Sequence, residues 1–359
     1  MEEWGSEGVG YFLGRQLFGV FEVEEWQVQG VAVRFRGTLL ARPETALAIL
    51  RQRLEPYGFS PLIQSVREIL IVPTPAAVKR SETDRPWVQI LLFLATIFTT
   101  LFVGTLQQGV DPLSHPAGLL GGLPFSFSLL SILGVHELGH YFTARRYGVK
   151  VTLPYFIPAP VGLGTFGAFI KMKSPVIDRK SLFDVGIAGP VAGLCLAIPV
   201  LMMGLTLSEI VPAGDRTGIS LGSPLLFTLI LEMTLGRIPD GMDVLLHPVA
   251  FAGWIGFFVT ALNLLPLGQL DGGHIAYALL GRRSEKLAFV TAIILVFLGI
   301  TFWPGWLFWA FVAFMLGFKH PPPMNDVTPL DPGRRLVGLG ALILLLCLIT
   351  PAPFMVPEF

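Results

Sequence analysis

The segment GVHELGHYF, residues 134–142, sets two histidines and a glutamate at the end of a strongly apolar run. The twenty-four residues 112–135 contain no Asp, Glu, Lys or Arg. On a helix, His136 and His140 are four residues apart, so their imidazoles project from one face, one turn from each other. Two nitrogens so placed fit adjacent corners of a tetrahedral zinc site, and Glu137 can reach the fourth, water-filled position as a general base. On a soluble helix the same spacing more often marks ordinary solvated side chains. Depth in an apolar run changes that balance, because burying these groups without partners costs on the order of several kcal/mol. A structural zinc remains the alternative, although two histidines with an adjacent carboxylate resemble the open, catalytic arrangement.

Such a site needs a third protein ligand, and acidic residues are scarce in the apolar part of the chain. Asp271, in NLLPLGQLDGGH (263–274), is the best placed. Pro266, Gly268, Gly272 and Gly273 surround it, removing a backbone donor and relaxing the helix so that the carboxylate can turn toward a metal. Its other reading is a helix cap at the membrane boundary. Asn263 is also unexpected in an apolar span; it could donate to a developing oxyanion or to substrate backbone, or tie two helices together. In GLGTFGAFI (162–170), the residues Gly164, Thr165, Phe166 and Gly167 suit a membrane-inserted edge strand or re-entrant loop that pairs with an unwound substrate, or a plain Gly-rich turn. Gly189 and Gly193, four apart in IAGPVAGL (187–194), read as close helix packing. His115, His247 and His320 read as surface or interfacial, and His274 as either a support for Asp271 or helix-end packing.

The elements that must position these residues are mostly membrane helices. The chain has 359 residues, 53% hydrophobic and 14% charged, against about 25% charged in soluble domains. Mean hydropathy is +0.67. Lys+Arg and Asp+Glu both number 25, which gives no support to nucleic-acid binding. The only cysteines, Cys195 and Cys347, lie inside uncharged runs and read as apolar packing residues. The N-terminus is acidic and lacks the apolar segment of a cleaved signal peptide, an expectation from these residues alone.

Residues 1–72 read as a small soluble α/β domain. Val31, Val33 and Phe35 alternate with polar or small neighbours as in a half-buried strand. Leu47, Leu50, Leu54 and Tyr57 mark one helical face, and residues 67–73 read as a further strand. A polar linker is expected at 73–86, followed by a transmembrane domain at 87–359. Uncharged runs at 88–106, 112–135, 185–208, 244–270, 287–318 and 336–357 are long enough to cross about 30 Å of hydrocarbon. WPGW (303–306) divides the fifth into two short helices, and 222–236 is shorter and holds Glu232. The fold class is thus a polytopic α-helical membrane protein of about seven to eight spans with an N-terminal α/β domain. Basic loops at 145–180, 282–286 and 319–335, with Lys79, Arg80 and Arg85, place that domain on the cytoplasmic side.

The paired segments HELGH and NLLPLGQLDGGH resemble the motifs of the site-2 protease family of intramembrane zinc metalloproteases. The N-terminal domain with GVAVRFRGTLLARPETALAILRQRLE, the loop VTLPYFIPAPVGLGTFGAFIKMKS and the lack of a recognisable PDZ-like insertion are most like one branch of it. That branch is cyanobacterial and chloroplast, related to the plant ethylene-dependent gravitropism-deficient and yellow-green proteins. The resemblance implies one Zn2+ per chain held by His136, His140 and Asp271, with Glu137 as catalytic base and Asn263 as helper. It implies an endopeptidase that cuts a transmembrane helix of a membrane-protein substrate near its cytoplasmic end, in a bacterial membrane, cyanobacterial plasma or thylakoid. A homo-oligomer is compatible with it. The rival reading is a catalytically silent membrane chaperone or scaffold whose zinc is structural; a transporter fits less well, since no inverted repeat is evident.

Overall fold

Alternation in VAVRFRGTL sets the first sheet. The computed structural model describes residues 6–74, 86–213 and 220–355, so the expected linker at 73–86 lies largely outside the described residues. Strands β1 (Phe21–Gln29), β2 (Ala32–Leu39), β3 (Phe59–Ser65) and β4 (Glu68–Pro73) form an antiparallel sheet in the order β1-β2-β4-β3. Val33 and Phe35 point into its core as expected, whereas Val31 precedes the strand and is exposed. Helices α1 (Ser6–Gln16) and α2 (Pro43–Leu54) accompany the sheet. Proline opens α2, where its missing N–H costs nothing, and Leu47, Leu50 and Leu54 are buried. Tyr57, expected on that face, lies in a short 3-10 turn beyond the helix and is exposed.

The remainder is helical: α3 (Pro86–Leu106), α4 (Leu123–Arg146), α5 (Arg179–Thr206), α6 (Leu225–Leu235), α7 (Pro248–Leu264), α8 (Asp271–Leu280), α9 (Ser284–Thr301), α10 (Gly305–Leu316) and α11 (Pro332–Leu348). Among the described residues, four stretches are long and apolar enough to cross a membrane: Pro86–Leu106, Pro116–Arg146, Arg179–Thr206 and Asp271–Thr301. The segments of α6, α7 and α10 are apolar but shorter. WPGW does separate two helices, α9 and α10. Cys195 and Cys347 are both free thiols.

Helix α7 is the hub. Nearly all of its residues are buried, and it packs against α4 and α5, while α5 also packs on α4 and α8. Between α4 and α5 the chain makes a hairpin of β5 (Tyr155–Pro158) and β6 (Thr165–Phe169). Gly164 has φ +79, and a Cβ there would stand 2.7 Å from the Thr100 Cα of α3. Its carbonyl accepts from Thr99 Oγ1 at 2.7 Å, which fastens the hairpin to α3. Short pairs β7 (Glu209–Pro212) with β9 (Met242–Leu245), and β8 (Ser220–Leu221) with β10 (Phe354–Met355), close other loops.

A polar clamp joins three helices near their ends. Arg334 at the start of α11 grips Asp184 of α5 with Nε at 2.8 Å and Nη2 at 2.6 Å, and reaches Asp331 at 2.6 Å. Tyr147, just past α4, donates to the same Asp184. Asp331 also caps α11 by accepting from the Arg334 backbone N–H, and those two bonds hold its carboxyl below the usual carboxylate range.

The turn from α7 into α8 is what aims Asp271. Backbone of α7 and of residues 265–270 comes so close to the start of α8 that side chains are excluded. A Cβ on Gly272 would stand 2.0 Å from the Leu264 carbonyl oxygen, and one on Gly273 would stand 2.4 Å from that of Gly268. Gly272→Ala is therefore expected to cost about 1–3 kcal/mol through overpacking against backbone, read as a lower unfolding temperature in detergent. An unchanged melting curve would contradict the close approach.

Candidate active site

His136, Glu137 and His140 lie on α4 and are 3%, 5% and 6% exposed. Asp271 is the first residue of α8; Leu270, not Asp271, occupies the cap position, so the capping alternative fails. Its carboxylate instead faces the two histidines. His136 Nε2 lies 3.2 Å from Asp271 Oδ2, His140 Nε2 lies 3.2 Å from Asp271 Oδ1, and the two Nε2 atoms are 3.2 Å apart. Ligands held about 2.0 Å from a tetrahedral zinc stand about 3.3 Å from one another. The two imidazole nitrogens and the carboxylate, whose two oxygens each face one histidine, therefore suit one face of such a site. Among the described residues it is the one His/Cys/Asp/Glu group with metal-binding geometry.

The chemistry of the donors points the same way. His140 Nδ1 lies 2.7 Å from the Val185 carbonyl oxygen, which can only accept, so Nδ1 carries the proton and Nε2 offers its lone pair. Two imidazole nitrogens and a carboxylate converging at these distances suit a cation between them. The residues present fit Zn2+.

Glu137 and Asn263 complete the cluster. The backbone of Ile170, next after β6, interacts with the Glu137 carboxylate. Asn263, in the last turn of α7, brings Nδ2 to 3.1 Å from His136 Nε2. Of the loop residues, Thr165 is buried and its Oγ1 donates to the Ile157 carbonyl at 2.8 Å, whereas Phe166 is 72% exposed. Gly164 and Gly167 both have positive φ, where glycine is favoured. Among the described residues β6 pairs with β5 alone, and its other edge carries no strand. Thr165, Phe166 and Gly167 thus belong to an edge strand followed by Ile170, whose backbone meets Glu137, while Gly164 lies in the bend before it.

The glycines of α5 do more than tighten helix packing. A Cβ on Gly189 would stand 2.0 Å from His140 Nε2, one on Gly193 would stand 3.1 Å from His136 Nδ1, and one on Gly186 would stand 2.8 Å from His274 Cβ. Three glycines on one face of α5 make the room in which the imidazoles sit. Their spacing was visible in the sequence, but nothing in it told which neighbours they face. His320 corrects its surface reading: it is 8% exposed and its Nε2 lies 2.6 Å from His274 Nδ1. His247 caps α7, accepting from the Val249 N–H at 3.3 Å. His115 precedes a short 3-10 helix and is exposed.

The helices that assemble the triangle fall inside a known family. The model of peptidase family M50 matches residues 124–303, a stretch that includes His136, Glu137, His140, Asn263 and Asp271. This chain belongs to peptidase family M50. It is 30% identical over 94% of its length to the Arabidopsis thaliana protein called "Probable zinc metalloprotease EGY1, chloroplastic", and 28% identical over 94% to the same plant's EGY2 of corresponding name. The EGY1 protein of Oryza sativa subsp. japonica is 32% identical over 74% of the chain. These similarities support the M50 branch that includes the plant proteins. The chain spans 69%, 64% and 50% of those three relatives' lengths. No solved structure matches significantly.

The M50 match ends near the α9–α10 turn, so the N-terminal sheet and α11 lie outside it. Within it, the α5 glycine face makes a specific demand. Gly189→Ala is expected to lower the zinc retained by the purified protein about tenfold by displacing His140. Gly340→Ala, where nothing lies within 4 Å, keeps the wild-type zinc content. Equal zinc in the two variants would refute the role given to Gly189.

Proposed function

We propose that the chain is a zinc-dependent endopeptidase that cuts a membrane protein inside the bilayer, near the cytoplasmic end of a transmembrane helix. The observation that carries this reading is the convergence of His136, His140 and Asp271 through 3.2 Å contacts, sunk in apolar helices with Glu137 beside it. In this reading those three residues hold one Zn2+, which when bound polarises a peptide carbonyl and makes a water ionisable near neutral pH. Glu137 takes the proton of the attacking water and passes it to the leaving amine. Asn263, within reach of the same corner, donates to the oxyanion that develops on the carbonyl.

A helical substrate hides each scissile carbonyl in its own hydrogen bonds, so it must be unwound first. The open edge of β6 suits an unwound chain, because an extended segment paired along residues 164–167 would run toward Glu137. Exposed Phe166 offers an apolar contact at that edge.

In the membrane, we read seven crossings: α3, α4, α5, α7, the α8–α9 stretch, α10 and α11. The 11-residue α6 holds Glu232 and does not cross in this reading, whereas the 12-residue α10 is counted because the basic residues Lys319, Arg334 and Arg335 follow it. That parity keeps the N-terminal domain of residues 1–72 and the basic loops on the cytoplasmic side, and the metal site near it. The membrane is bacterial, cyanobacterial plasma or thylakoid, a reading in keeping with the chloroplastic names of the plant relatives.

Glu137→Gln is expected to abolish cleavage of membrane-protein substrates while zinc stays near one per chain, compared as membrane-protein fragments between wild-type and variant cells. Stripping zinc with a chelator stops cleavage and adding it back restores it. Full complementation of a deletion strain by Glu137→Gln would overturn the protease reading in favour of a membrane scaffold with structural zinc.

A further inference from the structure

We propose that His320, reaching α8 from the loop between α10 and α11, is a positioning residue for Asp271, and that the N-terminal domain holds it there. The inference rests on Asp271 being a metal ligand, and is independent of whether the metal hydrolyses a peptide.

Helix α8 needs such a support. It has ten residues, and its first turn contains Gly272 and Gly273, which contribute least to backbone rigidity. Rotation about its axis would carry Asp271 away from the two histidines. Two buried contacts one and two turns along oppose that rotation. His274 Nδ1 meets His320 Nε2 at 2.6 Å, and the Tyr277 hydroxyl donates to Asp326 Oδ2 at 2.9 Å. The Tyr277 ring also stacks on His320 with centroids 4.8 Å apart, and Arg179 Nε holds the other oxygen of Asp326 at 2.8 Å.

Proton placement in this chain is determined. His320 Nδ1 lies 2.7 Å from the Pro321 carbonyl oxygen, so it must carry hydrogen. Burial pushes the His320 imidazole down to about 4, so at neutral pH its Nε2 is bare and accepts from His274 Nδ1–H. A peptide carbonyl in the loop thereby orients the imidazole one turn beyond Asp271. This is the logic by which outer hydrogen bonds orient a metal ligand, here applied to the helix that bears the ligand.

The loop is itself fixed by the N-terminal domain. Ile63 of β3 donates to the Met324 carbonyl at 2.7 Å, and Asp326 donates to the Ile63 carbonyl at 3.0 Å. On the other side Met324 and Asn325 donate to Val176 and Ile177 at 2.9 and 2.8 Å. Residues 324–326 thus bridge the β3 edge of the N-terminal sheet at Asn325 and join it to the segment leading into α5. Met324 is 4% exposed within the domain's own apolar core. Thr328 donates to Glu44 at the start of α2. His320 is therefore carried on a loop whose far end is part of the N-terminal domain.

The test uses full-length, zinc-loaded protein in detergent, challenged with an excess of chelator. His320→Ala and Met324→Glu are each expected to release zinc about tenfold faster or more, in the range of lost outer-shell bonds. His320→Gln stays close to wild type, because its amide oxygen accepts from His274 and its NH2 donates to Pro321. Hydrogen exchange on the zinc-free chains gives a second readout: His320→Ala accelerates exchange in α8 and leaves α4 and α5 protected. Unchanged zinc release in His320→Ala or Met324→Glu, release from His320→Gln as fast as from His320→Ala, or exchange accelerated uniformly through α4, α5 and α8 would each overturn the proposal. Should Glu137→Gln retain cleavage while these zinc-release differences hold, only the protease reading is lost.

Discussion

Everything in this molecule answers to one requirement: two imidazoles and a carboxylate from two helices must converge through 3.2 Å contacts in an apolar interior. Mutual repulsion of two lone pairs and a carboxylate opposes that meeting, and burial among apolar helices leaves it little screened. The scaffold has to impose it by shape. Glycines on α5 leave space for the imidazoles, the Val185 carbonyl turns one of them, and the Gly272–Gly273 turn drives α8 back against the end of α7. The core is rigid where chemistry needs it because packed helices transmit small displacements directly.

Around that point the elements divide the work. Helix α4 brings His136 and His140 to one face a turn apart, with Glu137 next to the first, a consequence of 3.6-residue periodicity alone. Helix α7 is buried on nearly every side, so it can be shorter than its neighbours and still fix Asn263 beside His136. Helix α3 does not touch the triangle; its role is to seat the β5–β6 hairpin through Thr99 and the close approach of Gly164. The hairpin in turn ends beside Glu137.

Much of the site was legible in the sequence because membrane chains use ionisable residues sparingly. His136, Glu137, His140 and Asp271 stood out against uncharged runs, and the proline and glycines around Asp271 marked a broken helix. The helical hairpin at WPGW was equally plain. Less legible was whatever depends on distant partners. Strand β1 carries Glu22, Glu24 and Glu25 on a mostly exposed edge, so it lacks the alternation that revealed β2. Strand β3 contains Pro61, and its pairing with residues 324–326 joins segments far apart in the chain. His320 beside three prolines looked like a solvent loop; its burial follows from α8 and the N-terminal domain meeting over it. The α5 glycines had a visible spacing without a visible neighbour.

The bridge between β3 and residues 324–326 bears on how such proteins can be rearranged. A domain tethered by a linker alone can be exchanged as a cassette, since few contacts cross its boundary. Here the fourth strand of the sheet ends at Pro73, whereas the segment that bridges its β3 edge lies at residues 324–326. Cutting at residue 72 would leave an open sheet edge on one piece and an unpaired backbone segment on the other. The natural seam of this protein is therefore a surface in space with no single position in the chain. A transplant of the N-terminal domain into a relative must carry the loop that completes its sheet.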